Sequence, residues 1–294
     1  MAKRGRTAFI IAFLSPAVLL YSIFVVWPLV QAFYLSMFRW RGVSAKKTFV
    51  GLDNFKALST DEAFQKAVHN NLWILVVGGL AILVFSLLLA HGMQSNSAPV
   101  KFLRGLHLFP QVISLVIVAI IWQFMYNPSY GLLTKGAEKV GITSVSQPLA
   151  NSSQALGAVG IAFVWYAVGF YIMLFSAGLK QIPEEINEAA QLDGSSGWHR
   201  FWRVTWPMLW SVKRIATIYI VINVLNIFAL VWVMTEGGPD RATETLLTLL
   251  YKKAFKESEF GAGTSVAVAN FALAMVLAAV LMFIFRKDPE ERRT

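Results

Sequence analysis

Cysteine is absent from this 294-residue chain, which excludes disulfides and thiolate metal sites. Charge is scarce as well: Asp, Glu, Lys and Arg make up 14% of the residues, against about 25% in soluble domains. No GxxxxGKS/T phosphate loop occurs, so the chain has no usual means of holding ATP. No GxSxG elbow is present, and His69, His91, His107 and His199 are dispersed without metal-ligand spacing. The sequence therefore offers neither catalytic residues nor a metal site. The net charge of +10 is spread over scattered Lys and Arg, with no nucleic-acid-binding motif. Loops flanking membrane spans account for it, and no nucleic-acid partner is expected.

What is there is oil. Hydrophobic residues make up 56% of the chain and the mean hydropathy is +0.58. A bilayer crossing needs about 20 apolar residues. Six charge-free stretches reach that length: Ala8–Phe38, Asn70–Met93, Gly105–Tyr126, Ala155–Leu179, Ile215–Thr235 and Gly263–Phe285. All 26 Lys and Arg and all 16 Asp and Glu fall outside them. Charge at the bilayer centre is costly, so the pattern predicts an all-α integral membrane protein with six transmembrane helices. The first stretch follows Lys3, Arg4 and Arg6 as a signal peptide does. It is much too long for a signal core of about 7–15 residues, and it is read as a retained span.

Six spans place both termini on one side. The segments on that side hold 14 Lys and Arg, and the longer loops opposite hold 12. The density predicts cytoplasmic termini. Pro16, Pro28 and Pro110, Gly78–Gly79 and Ala-rich faces read as bundle packing. Outside the spans, FVGLDNF at 49–55 and NPSYGLL at 127–133 carry turn formers between apolar anchors, and Gly237–Gly238–Pro239 ends the fifth span abruptly. No charge within a span can serve as an ion site or proton relay, which argues against an ion-coupled carrier. A stand-alone secondary carrier and a non-transporting membrane scaffold are the rival readings.

One segment on the cytoplasmic side is unlike the rest: EINEAAQLDGSSGWHRFWRVTWP, Glu185–Pro207. Pro183 suits the first position of a helix, Glu184 and Glu185 suit its positive end, and Gly194 suits a left-handed stop after Asp193. The expected helix is about 11 residues, roughly 16 Å long. Ile182, Ile186, Ala189 and Ala190 form a narrow stripe of small apolar groups. This suits docking into a cleft on a partner; any connector between spans can also be amphipathic. A second short helix places Trp198, Phe201, Trp202 and Trp206 on one side and His199, Arg200 and Arg203 on others, as in a segment bedded at lipid headgroups.

Glu188–Ala189–Ala190, Asp193–Gly194, Phe201 and Trp206–Pro207 resemble the EAA loop of binding-protein-dependent ABC importer permeases. Ser195 stands where that pattern has alanine, and Trp206 where it has leucine. FVGLDNF, NPSYGLL, SAGLKQIPEEINEAA at 176–190 and VMTEGGPDRATETLLTLLY at 233–251 extend the likeness along nearly the whole chain. They resemble the carbohydrate-uptake branch, in particular the first of two unlike subunits in maltose- and glycerol-phosphate-type systems. The resemblance implies a type-I importer transmembrane fold, with residues 1–68 as N-terminus, first span and extracytoplasmic segment, 69–287 as the permease domain and 288–294 as a cytoplasmic tail. It implies a second, unlike permease subunit, an ABC ATPase dimer that binds the ATP and Mg, and an extracytoplasmic solute-binding protein. Glu188, Ala189, Ala190, Asp193 and Gly194 then form the helix that enters the ATPase. For the sugar pathway it points to the fifth span: Asn223 and Asn226 share a face, with Tyr219 one turn earlier. Asn226 takes a position where the family often has Gln, while Ala229 replaces a frequent Asp. Amides suit sugar hydroxyls and equally serve as interhelical hydrogen bonds. Gln111, Gln123 and Asn270 are lesser candidates for the same role.

Overall fold

In the computed structural model, residues 2–95, 97–141, 147–195 and 197–286 are described. The tail expected at 288–294 lies outside them. Helix α1 (Ala2–Tyr21) runs through a π-helical turn, Ser22–Val26, into α2 (Trp27–Ser36). Strand β1 (Phe38–Arg39) pairs antiparallel with β2 (Thr48–Phe49), and α3 (Asp53–Thr60) follows. Helix α4 (Glu62–Trp73) continues through a π-helical turn, Ile74–Gly78, into α5 (Gly79–Gly92). Next come α6 (Ala98–Val112), α7 (Leu115–Met125), α8 (Leu132–Lys139) and the long α9 (Ala155–Lys180). After α10 (Glu184–Leu192), α11 (Gly197–Arg200) leads through a π-helical turn, Phe201–Thr205, to α12 (Trp206–Met208). The chain ends its described part with α13 (Trp210–Leu225), α14 (Ala229–Thr235), α15 (Leu246–Tyr251), a π-helical turn Lys252–Lys256, and α16 (Phe260–Ile284).

Among the described residues, four continuous runs are long and apolar enough to cross a membrane: Phe9–Ser36, Glu62–Gly92, Ala155–Lys180 and Phe260–Ile284. Counting each of two bent helix pairs as one span, Ala98–Val112 with Leu115–Met125 and Gly197–Met208 with Trp210–Leu225, raises the number to six. The third and fifth of the spans read from the sequence are interrupted. In the third, α6 and α7 meet at 104°. Pro110 supplies no N–H and crowds the carbonyl one turn back, so α6 ends two residues later, and α7 restarts with the Val118 N–H donating to the Ser114 carbonyl. In the fifth, the helix breaks between Leu225 and Ala229 without any proline. Its freed carbonyls find partners elsewhere: Asn71 Nδ2 donates to Val224 O at 2.9 Å and Thr245 Oγ1 to Ile227 O at 3.3 Å.

The chain forms two compact units. One joins the residues up to Phe64 with Leu249–Phe271. In it Asn54, from the FVGLDNF stretch, donates to the carbonyls of Ser36 at 2.7 Å and Phe38 at 3.0 Å, fixing the start of the strand pair. Gly261 lets α16 touch that strand: a Cβ there would lie 1.8 Å from the Phe38 carbonyl oxygen. Phe9, Phe13 and Phe24 of the first span are exposed, as side chains solvated by lipid are. Asp61 does two jobs. Its Oδ1 accepts the Ala63 N–H at 2.8 Å, capping α4, and its Oδ2 lies 2.8 Å from Lys253 Nζ.

Burial raises the Asp61 pKa, but the Lys253 ammonium and the backbone N–H groups outweigh it and hold the carboxyl below its ordinary 3.8. A depressed carboxylate contributes stability that is present above its unfolded-state pKa and is lost as pH falls through the lower folded value. Asp61→Asn keeps a capping oxygen and removes the ion pair. The expected cost at neutral pH is about 1 kcal/mol. The difference from wild type should be constant above about pH 4 and shrink as the pH falls further, through the lower folded value, in thermal unfolding of the detergent-solubilised protein; a difference that does not shrink below that pH would remove the ion pair as its cause.

The second unit, Gln65–Thr248 with the chain from Ala272, is built around α9. Val159, Ala162, Phe163, Ile172 and Phe175 meet Ile74 and Ile82, Val118 and Ala119, Ile220 and Val224, and Leu230 and Val231. Small residues let these helices approach, since lipid tails remove the usual hydrophobic drive for helices to associate. A Cβ on Gly169 would lie 2.0 Å from the His107 carbonyl oxygen, so α6 crosses α9 in backbone contact. Gln111 exploits the crossing, its Nε2 donating to Tyr166 O at 2.6 Å.

Candidate functional site

The helix expected after Pro183 is present, shorter than expected and shifted. Pro183 is the capping residue (φ −56°, ψ 139°), and the helix proper is the nine residues of α10. Glu184 and Glu185 occupy its first turn. Its end is a double cap: Gly194, at φ +74°, donates its N–H to Gln191 O at 3.0 Å, and Ser195 donates to Ala190 O at 3.0 Å. Only glycine takes that left-handed geometry without strain.

The stripe of small apolar residues does not all face outward, which corrects the expected docking face. Ala190 is 8% exposed, Ile182 packs against the core, and Ile186 is half-buried. The amphipathic pattern is satisfied inward, by the chain itself. The free face carries Glu184, Glu185, Glu188, Ala189 and Leu192, with Leu192 at 89% exposure. Asp193 and Gly194 are exposed beside it. The exposed face is acidic, with one protruding leucine.

Beyond Gly194 the aromatic segment also departs from expectation. Phe201 is buried at 9%, its ring 5.4 Å from that of His91, while Trp198 and Trp202 stay exposed. Phe201 still touches all three tryptophans, its ring centre 6.2 Å from that of Trp198, 5.3 Å from Trp202 and 6.4 Å from Trp206, yet its ring is turned into the core. Even so the rings form a continuous chain, Trp198 to Trp202 at 5.7 Å and Trp202 to Trp206 at 5.4 Å.

On α13, Tyr219, Asn223 and Asn226 are exposed, as their common face requires. Asn223 Nδ2 donates to Tyr219 O and Asn226 Nδ2 to Ile222 O, both at 2.8 Å, so each amide nitrogen is held by its own helix. Asn226 is also the C-terminal cap of α13 at the break. The Tyr219 ring lies 4.9 Å from Phe170. The lesser candidates resolve as fasteners where their partners are visible: Gln123 Nε2 donates to Val233 O at 2.7 Å, as Gln111 does to Tyr166. Asn270 is buried within α16.

Sequence reasoning missed a polar knot around the fifth-span break. Asn70 and Asn71 are 1% and 0% exposed. Asn70 Nδ2 donates to Glu244 O at 2.9 Å, and Asn71 Oδ1 accepts the Leu246 N–H at 2.9 Å while its amide holds Val224 O. Thr248 Oγ1 donates to Glu244 Oε1 at 2.7 Å. The available signal was the Asn-Asn pair at the edge of an apolar run, together with the threonines of TETLLT.

Broken apolar helices around α9, buried amides at their breaks and a short helix between spans define a multi-pass membrane protein. Residues 82–287 match the binding-protein-dependent transport system inner membrane component family, and the chain belongs to it. The probable ABC transporter permease protein YurN of Bacillus subtilis is 31% identical over 95% of this chain and 96% of its own. The diacetylchitobiose uptake system permease protein NgcF of Streptomyces coelicolor is 33% identical over 96% and 83%. The sn-glycerol-3-phosphate transport system permease protein UgpA of Brucella suis is 31% identical over 90% of each. Among solved structures, a bacterial ABC transporter involved in the import of the acidic polysaccharide alginate contains a chain of the same fold. Its TM-score is 0.81 at 20% identity, and 97% of each chain is covered. The fold is the type-I importer permease fold, and the chain is a permease subunit of an ABC importer, a transport subunit rather than an enzyme.

Proposed function

We propose that this subunit pairs with a second, unlike permease to line the pathway of an importer for sugars or related polyhydroxylated solutes. An extracytoplasmic binding protein delivers the solute, and an ABC ATPase dimer, holding the ATP and Mg, drives the cycle. Both termini lie in the cytoplasm, as does α10, in keeping with the density of Lys and Arg on that side. The division into 1–68, a permease domain at 69–287 and a tail at 288–294 belongs to this reading. The solute class is supported by relatives named for diacetylchitobiose and glycerol-phosphate uptake.

The observation that carries the coupling role is the free face of α10. A nine-residue helix, closed at its C-terminal end by Gly194 and Ser195 and packed inward through Ile186 and Ala190, leaves Glu188, Ala189 and Leu192 outward on a rigid base. Such a face fits a cleft with basic walls and an apolar floor. Glu188→Arg reverses the charge and Ala189→Trp fills the cleft. Both variants are expected to lose ATPase co-purification and solute uptake by roughly tenfold or more. Wild-type assembly and uptake in both would remove the coupling role.

For the pathway, amides exposed on a membrane-spanning helix argue for a face turned to a partner or to water rather than to lipid. Asn226→Leu is expected to weaken uptake about tenfold while the complex still assembles, which corresponds to about 1.4 kcal/mol of lost solute contact. Unchanged uptake would return Asn226 to its role as a helix cap.

A further inference from the structure

Among the described residues Lys213 is the only buried lysine or arginine, at 9% exposure, and the transport scheme above gives it no task. It lies on the first turn of α13, just past a 70° bend. The bend falls at Leu209 (φ −80°, ψ 14°), between the Gly197–Met208 helical run and α13. At such a bend the last carbonyls of the incoming helix lose their regular partners. Lys213 supplies one: its Nζ donates to the Trp206 carbonyl at 2.6 Å. The ammonium also lies 4.0 Å from the centre of the Trp206 ring and 5.7 Å from that of Trp210. One cation thus grips the incoming helix by both carbonyl and indole while rooted in the outgoing one. A buried ammonium is tolerated only when held this way, so charge and bend stabilise each other.

The grip sits at a junction. On one side the ring chain runs from Trp206 back through Trp202 to Trp198, next to the capped end of α10. On the other, α13 carries Tyr219, Asn223 and Asn226. Packed side chains with a fixed backbone angle can carry displacement from one site to another. We propose that Lys213 is a positioning residue that locks the angle between the α10–α12 segment and the fifth span, so that movement of α10 reaches the pathway face of α13. This rests on the reading of α10 as the helix that docks on the ATPase.

The test uses the complete importer reconstituted in vesicles with its binding protein, comparing wild type, Lys213→Met, Lys213→Arg and Glu188→Arg. Three quantities are read: assembly with the ATPase, solute-stimulated ATP hydrolysis, and solute imported per ATP. Lys213→Met is expected to assemble and hydrolyse ATP but to import roughly tenfold less solute per ATP. Lys213→Arg, which keeps the charge and the donors, should recover most of that ratio. A mere loss of stability would lower assembly, hydrolysis and uptake together and leave the ratio unchanged. A wild-type ratio in Lys213→Met overturns the proposal. If the methionine variant does not assemble, Lys213→Gln is read against the same ratio with the same two outcomes. Failure of the α10 reading is seen separately, as normal assembly and hydrolysis in Glu188→Arg.

Discussion

Asn71→Leu is expected to lower the stability of the solubilised subunit by about 2 kcal/mol, because it orphans the buried Leu246 N–H and leaves the Val224 carbonyl with the Ile227 N–H alone. The asparagine is 0% exposed and uses both ends of its amide. Its nitrogen serves Val224 O beside the break in the fifth span, and its oxygen serves the Leu246 N–H at the start of α15. Leucine has similar bulk and no polar atom, so packing is largely kept and both partners lose their bond. Each such loss costs about 1–3 kcal/mol, more than the added apolar contact returns. Asn71→Asp should be no rescue: it retains the acceptor for Leu246 but turns a carboxylate toward the Val224 carbonyl. Asn223→Leu supplies the contrast. That amide is exposed; it bonds its own helix at the Tyr219 carbonyl and touches the Tyr171 hydroxyl of α9, and it holds no backbone group of another helix, so its replacement should cost about 1 kcal/mol at most. Denaturant titration of the three variants in detergent, followed by tryptophan fluorescence, decides the point. Equal midpoints for Asn71→Leu and Asn223→Leu would show that the knot does not hold the break.

The same pair of asparagines shows how far the sequence could be read. Span number and position follow from charge-free length, a one-dimensional property, and the four continuous runs agree with it. The stop at Gly194 was legible because left-handed backbone after a helix selects glycine from local sequence alone. The bend after Pro110 had a visible cause whose size had none: the 104° angle depends on α6 finding Gly169 and Tyr166 on another helix. The break at Asn226–Phe228 carries no proline, and the groups that make it tolerable lie 153 residues earlier at Asn71 and 18 residues later at Thr245. Periodicity cannot see partners at such separations. Nor can it tell which face of an amphipathic helix is kept for the chain itself. Ile182, Ile186 and Ala190 formed a good stripe, and the protein spends it on its own interior. Trp198, Phe201, Trp202 and Trp206 do cluster as their spacing implies, but periodicity could not show that Phe201 is buried against His91 of another helix.

Gly169→Val is expected to destabilise the subunit by about 3 kcal/mol through overpacking at the α6–α9 crossing. A Cβ at this position meets only backbone: the His107 carbonyl oxygen at 2.0 Å, its carbon at 2.9 Å and Leu108 Cα at 3.4 Å. No side chain is there to swing aside, so relief requires moving one helix off the other. Separation also pulls Gln111 from the Tyr166 and Ala167 carbonyls, and those bonds pin α6 two residues before the bend. Alanine at the same position is informative because two effects oppose. It gains about 1 kcal/mol of helix propensity over glycine, and it meets the same close oxygen. With a gap of 2.0 Å the steric effect should win, leaving Gly169→Ala destabilised as well. Gly157, on the same helix, has nothing within 4 Å of its would-be Cβ, so Gly157→Ala keeps the propensity gain without a clash. The two alanine variants should therefore move the unfolding midpoint in opposite directions. A rise in both would mean that α6 does not ride on the bare backbone of α9, and that the bend in the third span is held by Gln111 alone.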